Sequence, residues 1–185
     1  MDIGHPGLGL SDLEGFFDSF SGVSPLLVSD YDGTLAPFRR ERDEAVPLEE
    51  TKRLLRRIVE TGGEFILLTG REASEAASLL GVPAEIWGCH GWQRRSPGGD
   101  TVTVPLSAAE ERALLLLPDL FRPFPPGAVE RKPVSAALHW RERPDVLEQY
   151  GTLEESIRKR ASQAGLEELP FDQGVEFRLP SFTKG

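Results

Sequence analysis

The fold of this chain is decided by the stretch LLVSDYDGTL, which occupies residues 26–35. Its apolar first half predicts a short buried β-strand that ends at Asp30, and Asp32, Gly33 and Thr34 follow directly. Ligands of open parallel sheets bind just outside the carboxyl ends of the strands. Since uncompensated buried charge is costly, stability alone gives no reason for two carboxylates at this point. The stretch therefore predicts a site for metal and phosphate chemistry at the end of a parallel strand.

Composition and charge restrict the class of protein. The 185 residues are 39% hydrophobic and 28% charged, which is typical of one globular domain or of a small domain with an insert. The formal net charge of −9 argues against nucleic-acid binding, because phosphate backbones are bound by clustered Lys and Arg. Cys89 is the single cysteine, so no internal disulfide is possible. Residues 1–24 resemble neither a signal peptide nor an anchor, and no apolar run reaches the roughly 18 residues of a membrane span, so we expect a cytoplasmic protein without membrane contact.

Apolar runs alternate with helical repeats through the first half of the chain. Strands are predicted at residues 26–30, 64–68 and 85–88, with helices at residues 11–20, 48–61 and 72–80. The mixed-charge run at residues 39–44 is interpreted as a solvated surface. Strand, helix, strand, helix, strand is the pattern of a parallel sheet, so the predicted fold class is α/β with a Rossmann-like core.

The pattern changes after residue 91. A hairpin is predicted at residues 92–104, followed by helices at 107–117 and 146–164 and strands at 128–132, 135–141 and 175–179. A loop is indicated by Pro118, Pro123, Pro125 and Pro126. Such content within a parallel pattern predicts an inserted α+β subdomain. We therefore expect a core of residues 1–105 and 176–185 and a cap of residues 106–175.

Asp30 and Asp32 have the chemistry needed for a two-step phosphoryl transfer. A carboxylate such as Asp30 can attack phosphorus and form an aspartyl-phosphate, which divides one difficult displacement into two easier ones. Asp32 can protonate the leaving alcohol and then deprotonate water, and Thr34 can add a hydroxyl donor. Mg²⁺ prefers oxygen ligands, which the Asp30 carboxylate and the Asp32 backbone carbonyl can supply. The alternative is a turn or a calcium-type loop, against which the preceding apolar run and the following Thr-Leu argue.

Two further residues fit a phosphate site. Thr69 ends the second predicted strand, where its hydroxyl can donate to a phosphoryl oxygen beside Asp30. Lys184 can reduce the repulsion between a carboxylate nucleophile and a phosphate. The alternatives are a helix start for Thr-Gly-Arg at residues 69–71 and an ordinary surface position for Lys184.

Several short motifs together resemble a known family. DYDGTL at residues 30–35, LTGR at 68–71 and TKG at 183–185 resemble the first three motifs of haloacid-dehalogenase-like phosphatases. HG at residues 90–91, ERK at 130–132, HWR at 139–141 and GVEFR at 174–178 are similar to motifs of trehalose-6-phosphate phosphatases. The resemblance covers most of the chain, and the shared order of the motifs makes it specific although each motif alone is weak.

The resemblance assigns roles in the core of the protein. It implies that Asp30 is the nucleophile and Asp32 the general acid and base. It implies that Thr69 and Lys184 bind the phosphate and that Mg²⁺ is the cofactor, held by Asp30 and Asp32. Substrate contacts in the core are also expected from Thr34, Gly70, Arg71 and His90, although a core position for His90 fits equally well.

The resemblance also implies a mobile cap that contacts a small sugar phosphate. The sugar contacts that it implies are Glu130, Lys132 and Glu176. His139 and Arg141 alternate on a predicted strand and face one side, where they either line the cleft or stabilise the cap. The three tryptophans could stack on sugar, but isolated aromatic residues more often pack in a core.

The chain departs from the family pattern at its C-terminal side. The family's fourth motif, a Gly-Asp-Asp-type strand end that completes the Mg²⁺ site, is absent, and the acidic pair Glu167-Glu168 lies in the expected cap. We therefore expect a C-terminally incomplete core with one open face and edge, weak Mg²⁺ binding and little turnover. A fragment of a longer phosphatase, a chain completed by a partner and a degenerate binding protein all fit this departure, and the first is favoured.

The predicted function is hydrolysis of trehalose 6-phosphate to trehalose and phosphate by a Mg²⁺-dependent phosphatase. One alternative is another sugar phosphatase, acting on sucrose phosphate or a glycosyl-phosphoglycerate. The other is a non-catalytic domain that binds a sugar phosphate. The intact Asp30 and Asp32 favour an enzyme, and the sequence leaves the oligomeric state open.

Overall fold

The computed structural model describes residues 24, 26–39 and 42–182. Within these residues the chain forms two β-sheets and four α-helices. The helix predicted at residues 11–20 and the predicted phosphate-binding residue Lys184 lie outside the described residues.

The first sheet is the predicted parallel sheet with a hairpin at one side. It contains five strands in the order β1-β2-β3-β4-β5, at Leu26–Asp30, Glu64–Leu68, Glu85–Gly88, Gln93–Arg95 and Thr101–Thr103. The first three strands run parallel, and β4 and β5 run antiparallel to their neighbours. Helices α1, Glu49–Glu60, and α2, Ala73–Leu80, connect the parallel strands. The sheet therefore brings the ends of β1, β2 and β3 to one edge, as the sequence predicted.

Only one face of the first sheet carries a hydrophobic core among the described residues. Phe65 and Leu67 of β2 pack with Leu55 of α1 and with the apolar side of α2. On β1, which is the outer strand among the described residues, Leu26 and Val28 are 57% and 47% exposed. Among the described residues, β1 thus carries apolar side chains that are exposed to solvent.

The second sheet follows in the chain and has a core of its own. Its strands β6, β7, β8 and β9 lie at Val129–Lys132, Ser135–His139, Glu167–Phe171 and Gly174–Arg178, in the order β6-β7-β9-β8 and antiparallel throughout. Helices α3, Ala108–Phe121, and α4, Pro144–Gln163, pack against one face of this sheet. At their contact the Phe121 and Phe177 rings lie 5.9 Å apart between centroids. The alternating pattern of β7 and β9 leaves the opposite face for polar residues.

The second sheet and α3 each differ from the sequence prediction at one point. Strand β8 was not predicted, because Glu167 and Glu168 are polar and Pro170 argues against a strand; β8 is an edge strand, the position in a sheet that tolerates proline. The loop predicted at Pro118 is wrong, since α3 continues through it to Phe121. Leu117, Leu120 and Phe121 are buried on both sides of the proline, so packing outweighs the backbone hydrogen bond that proline cannot make.

Strand β7 is shorter than predicted and β9 crosses a predicted boundary. The prediction that Arg141 continues the strand of His139 is wrong, because β7 ends at His139 and the chain turns at Glu142, whose φ is +57°. Residues 176–178 pair with β7 and β8 in the second sheet, so the strand extends past the predicted cap end at residue 175. We therefore propose a cap that begins near residue 106 and ends after Arg178.

The start of α2 approaches β3 and β4 closely. Glu72 at the N-cap position makes no side-chain cap, and the Oε1 of Gln93 instead accepts a hydrogen bond of 2.8 Å from the Ala73 amide. A Cβ atom at Gly88 would lie 2.6 Å from the Ala73 nitrogen and 2.9 Å from its Cα. Glycine at position 88 is therefore required by the approach of the helix rather than by its own backbone conformation.

Replacing Gly88 by alanine tests this contact. We expect Gly88→Ala to lower the free energy of unfolding by about 1–3 kcal/mol, because the methyl group meets backbone atoms that cannot move aside. Gly151 is the matched control, since it lies in α4 with nothing within 4 Å of an added Cβ. Gly151→Ala should raise the stability by about 0.5–1 kcal/mol. Urea unfolding followed by circular dichroism measures both, and equal stability of Gly88→Ala and the parent chain would contradict the assignment.

Candidate active site

The first part of the candidate site is the tight loop that follows β1. The Tyr31 carbonyl accepts hydrogen bonds of 3.0 Å from the amides of Leu35 and Ala36, and the Gly33 amide donates to the Ala36 carbonyl at 2.8 Å. Gly33 has a φ of +80°, a conformation that favours glycine. The Asp30 Oδ1 accepts a hydrogen bond of 2.7 Å from the Tyr31 amide. The loop therefore fixes Asp30 at the carboxyl end of β1, where the sequence predicted it.

A buried arginine binds the second carboxylate of this loop. Arg71, at the end of β2, is 3% exposed, and its Nε and Nη2 donate to the Asp32 oxygens at 2.9 and 2.7 Å. Its Nη1 donates to Glu75 Oε1 and to the Arg42 carbonyl, each at 2.8 Å. Burial lowers the pKa of the Arg71 guanidinium, but attraction and hydrogen bonds to Asp32 and Glu75 outweigh it and raise the pKa. Arg71 is therefore a permanent charge that holds Asp32.

Tyr31 contacts the Arg71 guanidinium and the segment around Ala45. Its ring lies 5.1 Å from the Arg71 guanidinium carbon, in a cation–π contact, and its hydroxyl donates to the Ala45 carbonyl at 2.7 Å. Burial raises the pKa of the Tyr31 hydroxyl to about 12, so Tyr31 stays neutral and keeps the proton that it donates to Ala45. The loop, the end of β2 and the segment around Ala45 are thus joined at one buried point.

Thr69, Gly70 and His90 lie together at the ends of β2 and β3. The Thr69 Oγ1 accepts a hydrogen bond of 3.1 Å from the Arg71 amide, and the Thr69 carbonyl accepts one of 3.1 Å from the His90 amide. A Cβ at Gly70 would lie 2.7 Å from the His90 ring, so the imidazole packs on the glycine. Thr69 and His90 line a cavity of about 380 Å³ with Trp87 and Phe182. The structure therefore brings two of the predicted site residues, Thr69 and His90, to one cavity, and Gly70 lies against the His90 ring.

The second part of the candidate site is the polar face of the second sheet. Because side chains alternate along strands, the paired positions Glu130, Ala137 and Glu176 share one face with Lys132 and His139. Lys132 Nζ lies 3.0 Å from Glu176 Oε1, and His139 Nε2 lies 3.1 Å from Glu130 Oε2. Glu130, Lys132 and Glu176 were predicted as sugar contacts, and His139 was predicted either to line the cleft or to stabilise the cap.

Charge and burial set the protonation of this polar face. Burial raises the pKa of the Glu176 carboxyl, but the Lys132 charge and the hydrogen bonds from Lys132 and Ser135 outweigh it and lower the pKa. Burial and the nearby charges of Lys132 and Arg141 lower the pKa of His139 below its ordinary value of 6.5. At neutral pH, Glu176 is therefore ionised and His139 is mainly neutral.

Arg42 joins the two parts of the site. Its Nε lies 2.9 Å from Glu75 Oε1, and its Nη1 contacts Glu130 Oε1. Asp32, Arg71, Glu75, Arg42 and Glu130 thus form a continuous series of ionic contacts from the loop after β1 to the second sheet. The interpretation of residues 39–44 as merely solvated surface is wrong for Arg42, because two carboxylates distant in the sequence converge on its guanidinium.

Of the remaining predicted residues, Thr34 and Arg141 are exposed and Arg71 is bound by protein groups. Thr34 lies exposed in the turn after Asp32. Arg141 has a side chain that is 64% exposed and 3.7 Å from Asp172, outside the polar face. The Arg71 guanidinium is occupied by protein groups, so its predicted substrate contact stays a prediction and a positioning role for Asp32 is what its contacts support.

Sequence reasoning missed three residues of the site. Glu75 had a usable signal, because it lies four residues after Arg71 on a predicted helix, the spacing of a helical ion pair. Arg42 had none, since a charged run does not reveal which of its members is paired. Ser135, which is buried and donates to Glu176 Oε1 at 2.6 Å, had none either, because the pairing of β7 with β9 was not predicted.

The candidate ligands for Mg²⁺ lie at the end of β1. Within residues 24, 26–39 and 42–182, no group of three or more His, Cys, Asp or Glu side chains is arranged to hold a metal ion. Mg²⁺ is commonly held by one or two carboxylates together with substrate phosphate and water. The Asp30 carboxylate and the Asp32 carbonyl at the end of β1 are hard oxygen donors that fit this minimal arrangement. The Asp32 carboxylate itself is bound by Arg71.

Comparison with known proteins decides the family. The family model described as trehalose-phosphatase matches residues 28–166, more than half of the chain. The chain belongs to the trehalose-phosphatase family. The resemblance drawn from the motifs is thereby confirmed.

Curated relatives agree with this assignment. The trehalose-phosphate phosphatase of Mycobacterium leprae (strain TN) is 29% identical over 136 residues, which cover 69% of this chain and 30% of the relative. A bifunctional trehalose-6-phosphate synthase/phosphatase of Thermoproteus tenax is 27% identical over 166 residues, covering 86% of this chain and 23% of the relative. The chain therefore spans less than a third of the length of either relative.

Solved structures share the fold. The C-terminal domain of the C. albicans trehalose-6-phosphate phosphatase has a TM-score of 0.70 at 20% identity, covering 92% of this chain and 62% of that domain. A haloacid dehalogenase-like hydrolase from B. subtilis has a TM-score of 0.56 at 13% identity, covering 86% of this chain and 75% of that protein. The predicted α/β fold class, with a haloacid-dehalogenase-like core and a cap, is confirmed.

The lowered pKa of Glu176 predicts a pH-dependent stability. Replacing Glu176 by glutamine should lower the free energy of unfolding near pH 7 by about 2 kcal/mol, because a charge-assisted hydrogen-bond pair is lost. The stabilisation from the ionised carboxylate is fully present above the ordinary pKa of 4.5 and is lost as the pH falls through the lowered pKa of the folded state. The difference between the parent chain and Glu176→Gln should therefore shrink towards about pH 3.

Urea unfolding at both pH values measures this difference. Glu60→Gln is the matched control, since Glu60 lies exposed at the end of α1. A Glu176→Gln difference that stays constant down to about pH 3 would contradict an ionised carboxylate bound by Lys132.

Proposed function

We propose that this chain carries the phosphatase function of its family, the Mg²⁺-dependent hydrolysis of trehalose 6-phosphate to trehalose and phosphate. The observation that carries the proposal is the position of Asp30 and Asp32 at the carboxyl end of β1, the edge of a parallel sheet where ligands bind. Thr69 lies on the neighbouring strand end, and Arg42 connects this edge to the polar face of the second sheet. The names of the curated relatives support the same reaction.

In the proposed first step, an Asp30 carboxylate oxygen attacks the phosphorus of the sugar phosphate. The bond between phosphorus and the sugar oxygen breaks, and that oxygen takes a proton from Asp32 as trehalose leaves. In the second step, Asp32 takes a proton from water, the water oxygen attacks phosphorus, and the bond to Asp30 breaks. The products are inorganic phosphate, the Asp30 carboxylate and a protonated Asp32.

Other residues of the chain would position these groups. Mg²⁺, held by the Asp30 carboxylate and the Asp32 carbonyl, would supply positive charge that offsets the repulsion between carboxylate and phosphate. The Thr69 hydroxyl would donate to a phosphoryl oxygen, and Lys184 is proposed as a further phosphate contact. In this structure both Asp32 oxygens accept hydrogen bonds from Arg71, so the proposed role requires Asp32 to leave this ion pair, take up a proton from solvent and turn towards the leaving oxygen.

The polar face of the second sheet is the proposed sugar site. Ionised carboxylates and an ammonium group each hydrogen-bond paired sugar hydroxyls, and Glu130, Lys132 and Glu176 lie together there. His139, mainly neutral, can both donate and accept. Closing the cap over the core would bring these groups towards Asp30 and exclude bulk water.

The composition of the chain bears on its location and its partners. No helix in the described part of the chain has the length and apolar character needed to cross a bilayer. We propose a cytoplasmic location, which the single cysteine supports, and a small sugar phosphate as the ligand. The net charge of −9 supports the view that nucleic acid is not a partner.

The decisive experiment measures phosphate release from trehalose 6-phosphate in the presence of Mg²⁺. We expect Asp30→Asn to lower the rate by at least about a thousandfold, because the amide cannot act as the nucleophile. Asp43→Asn is the matched control, since Asp43 is an exposed aspartate in the turn at residues 42–44 and should retain the parent rate. Removing Mg²⁺ with a chelator should have an effect similar to that of Asp30→Asn.

Two results would contradict the proposal. If Asp30→Asn released phosphate at the parent rate, Asp30 would not be the nucleophile. Faster release from sucrose 6-phosphate or a glycosyl-phosphoglycerate than from trehalose 6-phosphate would assign the alternative sugar phosphatase instead.

The second candidate function is binding of a sugar phosphate without hydrolysis. The observation that favours it is the occupation of both Asp32 oxygens by Arg71, which leaves the proposed acid directed away from a substrate. Calorimetry with trehalose 6-phosphate separates the two functions. Binding by the parent chain without phosphate release would assign the binding function.

A further inference from the structure

We propose that Arg42 competes with the sugar for the Glu130 carboxylate and so sets the affinity of the proposed sugar site. The inference rests on the proposed function, because it takes Glu130 as a sugar contact. It concerns a residue outside every motif that the sequence analysis identified. The observation behind it is the contact between the Arg42 Nη1 and Glu130 Oε1.

The backbone of Arg42 is bound to the part of the site that contains the loop after β1. Its carbonyl accepts a hydrogen bond of 2.8 Å from Arg71, the buried residue that holds Asp32. Ala45, three residues on, accepts the hydrogen bond from the Tyr31 hydroxyl. The turn at residues 42–44 is therefore tied at both ends to the residues that surround Asp30.

The side chain of Arg42 extends from this turn to two carboxylates. Its Nε reaches Glu75 Oε1 at 2.9 Å on α2, while Nη1 reaches Glu130 on β6. Arginine presents several N–H donors in a planar fork, so one guanidinium can serve both carboxylates at once. A lysine at position 42 has one charged nitrogen and would not bridge them in the same way.

Both Glu130 oxygens have a charged or titratable neighbour in this arrangement. Oε1 lies in ionic contact with Arg42, and Oε2 lies 3.1 Å from His139 Nε2. Sugar hydroxyls that bind the Glu130 carboxylate must therefore displace Arg42 or share the oxygen with it. The binding-competent state is only part of the population, and the apparent affinity is reduced by that fraction.

The Arg42 and Glu130 side chains are 35% and 28% exposed, so the pair is partly solvated. Pairs of this kind are modest in strength, and we expect that its removal tightens sugar binding by roughly two- to fivefold. Removal should leave the Asp32–Arg71 pair in place, because the Arg42 carbonyl remains and Glu75 keeps its contact with Arg71.

Calorimetric titration of the full chain with trehalose 6-phosphate tests the inference, with a chelator present so that hydrolysis does not consume the ligand. Arg42→Ala should bind the ligand more tightly than the parent chain. Arg53→Ala is the matched control, since Arg53 is exposed on α1 and pairs with Glu50, and its affinity should equal that of the parent. A merely structural role for Arg42 would move the affinity of Arg42→Ala in the opposite direction.

The same titration in a Glu130→Gln background isolates the competition. Arg42→Ala should produce no gain in affinity there, because the ionic contact is already absent. Equal gains in both backgrounds, or equal or weaker binding by Arg42→Ala in the parent background, would overturn the inference while leaving the proposed function intact. Absence of binding by every variant would overturn the proposed sugar site and the inference together.

Discussion

The candidate site depends on the neutralisation of one buried guanidinium. Removing the Arg71 charge from water is costly, and the cost is offset by the carboxylates of Asp32 and Glu75 and by the face of the Tyr31 ring. These partners come from the loop after β1 and from α2, so satisfying one charge fixes several segments relative to each other. Without the arginine, two carboxylates would face each other across the end of the sheet. Arg71 therefore acts as the organising centre of the loop that carries Asp30.

The same neutralisation extends to the second sheet. Glu75 is shared by Arg71 and Arg42, and Arg42 in turn reaches Glu130, which lies 3.9 Å from Lys132. Acidic and basic side chains alternate along this series, so each carboxylate has a neighbouring cation in the absence of any ligand. When a phosphate and a sugar bind in such a site, its charged side chains exchange contacts with each other for contacts with the ligand. The affinity for a ligand is thus a difference between two well-satisfied states.

The sequence predicted the first sheet well and the second less well, for physical reasons. Strands β1, β2 and β3 have the predicted bounds, because short apolar runs bounded by turn residues are a strong local signal. Strand β8 was missed because an edge strand needs few apolar residues and tolerates Pro170. Local signals also failed at Pro118, where the buried Leu117 and Leu120 keep the helix intact. The unpredicted features are those that tertiary packing decides.

The candidate site divides in the same way. Asp30, Asp32 and Thr69 could be placed from the sequence, because each lies at the end of a predicted strand. The partners of Arg42 and Ser135 could not, because these side chains meet residues that lie 33 and 41 positions away in the sequence. The contact of Ser135 with Glu176 depends on the register of the second sheet. The same register sets Glu130 and Glu176 opposite the small residue Ala137 on one face. Ala137 contributes only a methyl group between the two glutamates, and Lys132 lies 3.9 and 3.0 Å from their carboxylates, so the register itself assembles the cluster of charges.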